Sequence, residues 1–177
     1  MNVRIEKSFV FQAAIHFEGT FMVNTYDMNL LMTVLTEDQW EQKIAIERIN
    51  FYLLENLEHN IFVHNKDKKA IDKYRKAGLK VIELPEEPFD QIIGIVLMLK
   101  FDAIMEGRVA VDEIVFGSKL TSNIKFHTLF EEAEATYAGN NWWNNNSCVI
   151  TTTKKDKVVK LFDTNDWKDV GLTWKAS

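Results

Sequence analysis

The chain has a single cysteine, Cys148, among its 177 residues. An internal disulfide is excluded, and so is a zinc site built on several thiolates. Only two prolines and seven glycines occur. So few breakers predict long regular elements rather than a patchwork of turns. No stretch approaches the roughly 18 uninterrupted apolar residues of a membrane span. The opening residues, MNVRIEKSFVFQ, lack the apolar core of a signal peptide, so the cytosol is the expected compartment. Gly-rich phosphate loops, a G-x-S-x-G elbow and an H-E-x-x-H pair are missing, which weighs against common hydrolases and nucleotide enzymes. Basic residues are outnumbered by acidic ones, for a net charge of −5. That balance works against a nonspecific grip on nucleic acid.

Aromatic side chains are plentiful, with twelve Phe and five Trp. Each brings a large area to a core or a contact surface. Val3, Ile5, Phe9, Phe11, Ala13 and Ile15 alternate as in a strand, with a bulge expected near Lys7–Ser8. A turn at Gly19–Thr20 and a second extended stretch, FMVNTYDMNLLMTVL, complete a hairpin. TEDQ, opening at Thr36, has the pattern of a capping box. The helix it starts is expected to run to about Leu57, with Ile46, Ile49, Leu53 and Leu57 inward and Trp40 and Ile44 widening that face. IFVH and LKVIEL read as short strands around the basic amphipathic stretch KDKKAIDKYRK. Pro88 suits the first position of a second long helix, apolar nearly all round from Ile92 to Leu99 and stopped by Gly107. RVAVDEIVFGS is a strand expected to hold Val109, Val111 and Glu113 on one face, and Asp112 and Ile114 on the other.

This order predicts an α+β fold, an antiparallel sheet with two main helices packed on one face. The core domain is placed at residues 1–118. Residues 119–177 are expected to form a C-terminal appendage with an aromatic loop and a β-hairpin at CVITTT to VVKLF.

FQAAIHF, LEHNIF, PEEPFDQIIGIVLMLKFDAI and RVAVDEIVF resemble, in order and spacing, the tunnelling fold of the pterin synthases and of the carboxy-tetrahydropterin synthase. The resemblance spans residues 3–118. It implies that His16 matches a first zinc-binding histidine, Glu58–His59 an Asp–His proton-transfer pair, and Glu113 the carboxylate that anchors a heterocycle. GTFMVNTYDMN has no His-x-His pair, and Cys148 lies outside the match, so the resemblance implies that the zinc chemistry is lost. A closer resemblance, in LPEEPFDQIIGIVLMLKFDAIMEGR, IAIERINFYLLENLEHNIFV and the later WW, is to an uncharacterised protein family of large tailed bacteriophages.

Glu58 beside His59, with His64 following, is a candidate acid–base pair; equally, His59 can cap the C-terminal end of a helix. Glu113 is the candidate ligand anchor, or a surface carboxylate left outside by alternation. Trp142–Trp143, set among five Asn, is a candidate partner-binding platform or an aromatic lid on the body. No metal or cofactor is called for. The leading expectation is a non-enzymatic phage accessory protein, a homo-oligomer that binds a host or phage macromolecule in the host cytoplasm during host takeover or defence evasion. The alternatives are a small-molecule site for a purine or pterin, with or without metal-free proton transfer, and a virion structural component.

Overall fold

The computed structural model describes residues 3–148, so the expected hairpin, apart from its first residue Cys148, lies outside the described residues. Strands β1 (Val3–Phe17) and β2 (Thr20–Val34) form an antiparallel hairpin fifteen residues long on each side. Phe17 pairs with Thr20, leaving Glu18 and Gly19 as a two-residue turn, both at positive φ (48° and 77°). This primed turn matches the twist of the strands it joins. The register is continuous from Val3 to Phe17, with no bulge at Lys7–Ser8.

Helix α1 (Gln39–Tyr52) begins two residues later than the TEDQ pattern suggests. Asp38 is its cap, accepting from the Trp40 amide at 2.8 Å, while the Thr36 hydroxyl accepts from the Asp38 amide. The helix widens into a π-helical turn, Leu53–Leu57, so it ends where expected. Ala45, Arg48, Ile49 and Tyr52 form its buried face, whereas Trp40 is exposed. There follow β3 (Ile61–His64), α2 (Lys68–Lys76), β4 (Val81–Leu84), α3 (Asp90–Met105), β5 (Val109–Ser118), β6 (Lys125–Leu129) and α4 (Phe130–Thr136). Helix α3 starts two residues beyond Pro88, with Phe89 as its cap.

The fold class is α+β. One six-stranded sheet runs β4-β3-β1-β2-β5-β6. The sheet is mixed rather than wholly antiparallel: β3 and β4 run parallel to β1. The β3–α2–β4 crossover makes β4 parallel to β3, since a helix between two adjacent strands returns the chain in the same direction, while β3 reaches β1 by way of β2 and α1. Helices α1 and α3 pack on one face over Phe11, Tyr26, Met28 and Leu30. Helix α2 lies on the other, where Ala70, Ile71 and Tyr74 meet Ala14, Ile61, Val63 and Val81. The sheet also continues past residue 118, because β6 pairs with β5.

Helix α3 is buried without interruption from Ile93 to Phe101. Gly94 makes its approach to the sheet possible: a Cβ there would lie 2.9 Å from the Phe116 Cβ. Arg48 ties α1 to the end of α3, donating to the Ile104 carbonyl at 2.9 Å and pairing with Glu106. Burial alone would raise the Glu106 carboxyl, but hydrogen bonds from Arg108 and Arg48 outweigh it and hold it below its ordinary value.

Candidate functional site

The carboxyl ends of β1, β3 and β4 meet at one end of the sheet. In sheets with parallel strands this is where ligands commonly bind. A cavity of about 280 Å³ opens here, lined by His16, Glu18, His64, Asp67 and Glu87 among others. His16 is the last inward-turned residue of β1 under α2, and His64 ends β3. Asp67 caps α2, with one oxygen accepting from the Ala70 amide at 3.0 Å and the other 3.2 Å from His16 Nε2. The Tyr74 hydroxyl donates to His16 Nδ1 at 2.9 Å. Burial first, and the Asp67 carboxylate second, raise the Tyr74 phenol above its ordinary value, which keeps the donating proton in place. Both nitrogens of His16 are thereby engaged.

His64 differs. Its Nδ1–H donates to Glu87 Oε1 at 3.1 Å. Its Nε2 is buried and has no hydrogen-bond partner among the described residues. A carboxylate on one imidazole nitrogen fixes the tautomer and leaves the other nitrogen's lone pair free to accept a proton. Among the described residues, no three His, Cys, Asp or Glu side chains converge into a metal-holding group.

The residues singled out by sequence fall elsewhere. Glu58 accepts from the Gln12 amide at 3.3 Å, and His59 lies 3.8 Å from it, exposed and at positive φ (59°) just past the π turn. His59 is therefore the left-handed residue of a helix end, and its own amide donates to the Gln12 carbonyl. Glu113 lies on the face opposite Val109 and Val111, not with them. The pairing with β2 shifts at Asp112, so that Ile114 and Phe116 turn inward and Glu113 outward, paired with His127 at 2.9 Å. Trp143 is buried and donates to the Tyr137 carbonyl; Trp142 donates to the Glu83 carbonyl at 2.8 Å, on the edge strand β4. The pair acts as an aromatic cover over that edge.

Sequence reading missed three things. His16 and His64 share a cavity although 48 positions separate them, and the parallel pairing of β1 with β3 brings them together. Glu87, an acid at a helix start, and Asp67, interleaved in the basic stretch KDKKAIDKYRK, are also the imidazole partners. Lys100, the one charge in IIGIVLMLKF, is buried against the Trp142–Asn145 loop; its isolation in an apolar run was the available signal.

No family model matches the chain, nor does any curated protein. A fold neighbour does exist. The crystal structure of an uncharacterized protein from Wolinella succinogenes superposes with a TM-score of 0.53 at 9% identity, covering 73% of this chain and 98% of that one. At that identity the likeness extends to the fold alone.

Proposed function

We propose that this chain binds a small, neutral or cationic polar molecule at the carboxyl ends of β1, β3 and β4, where the His64 Nε2 accepts a hydrogen bond from it. One observation carries the proposal: the buried, unpartnered His64 Nε2 beside a Glu87-held Nδ1. An orphaned buried nitrogen is costly to leave unmet, and a ligand group in the cavity satisfies it. Glu18, Asp67 and Glu87 line the same space and disfavour an anion. A volume of about 280 Å³ suits a small metabolite. This is the small-molecule alternative of the sequence, moved from Glu113 and Glu58–His59 to His64, Glu87 and the His16–Asp67 pair.

The test is a thermal-shift and calorimetry panel of amines, polyols and amino sugars, followed by imidazole nitrogen NMR. A binder is expected to move the His64 Nε2 resonance, and to lose at least tenfold in affinity with His64→Gln or Glu87→Gln but not with Glu58→Gln. Binding indifferent to His64→Gln, or silence across the panel, rejects the proposal.

A second reading rests on the sheet face left uncovered beyond α2. Val10 and Val23 stand 70% and 64% exposed there, on neighbouring strands. Such a surface supports a phage accessory protein that holds a host or phage partner or a second copy of itself. It replaces the Trp142–Trp143 pair, whose indole N–H groups are already spent within the chain.

A further inference from the structure

A second cleft, of about 310 Å³, lies under the Trp142–Asn145 loop on the far side of β4 from β3. Its walls come from three helices: Tyr52 of α1, Arg75 of α2 and Lys100 of α3. Val81, Ile82 and Trp142 supply apolar surface. Two of these polar side chains have an unanswered hydrogen-bonding atom. The Tyr52 hydroxyl and the Arg75 Nε are both buried, with no partner among the described residues. Tyr52 itself is wholly buried. Arg75 Nε–H can only donate, and a buried phenol most readily does the same.

Lys100 adds charge without adding a free donor. Its ammonium is bonded to the Trp142 carbonyl at 3.1 Å, the Asn145 carbonyl at 2.8 Å and the Asn145 side-chain oxygen at 2.9 Å. It also lies 5.6 Å from the centre of the Tyr52 ring. Glu83, the acid of this cleft, is taken by Arg75 at 2.7 Å and Lys68 at 3.3 Å. The cleft thus combines orphan donors, a buried positive charge and flat apolar walls, inside a chain whose net charge is negative.

We propose that this cleft is a second binding site, for a small organic carboxylate, whose oxygens are met by the Tyr52 hydroxyl and Arg75 Nε–H while its apolar body lies against Val81, Ile82 and Trp142. A carboxylate fits because it offers acceptors only, matching donors that have none. A bare oxyanion would leave the apolar walls unused. The proposal is independent of the His64 site, which disfavours anions.

Calorimetry on the full chain tests it, with benzoate and indole-3-carboxylate, their matched amides, and inorganic phosphate. The carboxylates are expected to bind, and the amides to bind at least tenfold more weakly. Tyr52→Phe removes only the orphan hydroxyl, so it is expected to melt no lower than wild type yet lose at least fivefold in carboxylate affinity. Arg75→Lys keeps a charge for Glu83 but lacks the Nε–H, and is expected to lose a similar factor. His64→Gln is expected to change nothing here. Titration should shift the indole N–H resonance of Trp142. Undetectable carboxylate binding, equal binding of the amides, phosphate binding as tightly as the carboxylates, or affinity unchanged by Tyr52→Phe overturns the proposal.

Discussion

Lys100 is a cation in a position where water cannot solvate it, and burial pushes its ammonium down to about 8. Below that value the folded and unfolded chains both hold the proton. From about pH 8 to the unfolded lysine value near 10.4, the unfolded chain binds more protons, so the Lys100 contribution makes stability rise with pH. The Cys148 thiol, pushed up to about 11 by burial, works in the opposite direction once an unfolded thiol begins to ionise. A variant separates the two. Lys100→Met orphans the three oxygens that hold the loop, and is expected to lose about 2 kcal/mol at pH 7. In urea melts the gap between wild type and variant should widen from pH 8 to 10. A gap that narrows would reject the account of a desolvated ammonium. The equivalent residue-level signals at the strand ends were weaker in the sequence. His16 looked solitary and His64 was grouped with Glu58–His59, because an imidazole's partner is set by which loops converge and not by its neighbours along the chain.

At the scale of elements, most of the periodicities translate directly into structure. The long hairpin, the helix ending at Leu57, and the all-round burial of α3 are each written in the spacing of apolar residues. What spacing could not convey is a change of parity. The irregularity at Asp112 inserts one residue into β5, and every side chain beyond it changes face. Thr33 donates to the Asp112 carboxylate at 2.7 Å, which gives the displaced residue a fixed partner. The capping residue of α1 was similarly ambiguous, because Thr36 and Asp38 both carry suitable oxygens. The contact between α3 and β5 makes a sharp prediction. Gly94→Ala would gain helix propensity of up to about 1 kcal/mol, but its Cβ meets a side chain rooted in the sheet. A net loss of about 1–2 kcal/mol is expected from overpacking in chemical denaturation. An alanine variant as stable as wild type would show that the two elements can separate freely.

For the molecule as a whole, the α+β class was legible because two long strand-like stretches pair as a hairpin before the helical periods begin. The parallel pair was less so. IFVH and VIEL are four-residue strands, too short for their pattern to report direction. Their placement follows from the helix between them, which also covers only one part of the second sheet face. The remainder of that face carries Val10 and Val23 in the open. Light scattering is expected to find wild type at twice the chain mass or more, and a Val10→Lys, Val23→Lys variant at the chain mass with its melting temperature retained. A monomeric wild type would remove self-association from the second reading and leave that face to a different partner.

Asp67 serves two masters, the first turn of α2 through the Ala70 amide and the imidazole of His16. A guest that draws this carboxylate toward itself must loosen one of those attachments. Occupancy at the strand ends would then be broadcast along α2, as faster deuterium uptake at Ala70 and its neighbours. The crossover helix would serve as a gauge of whether the cavity is filled.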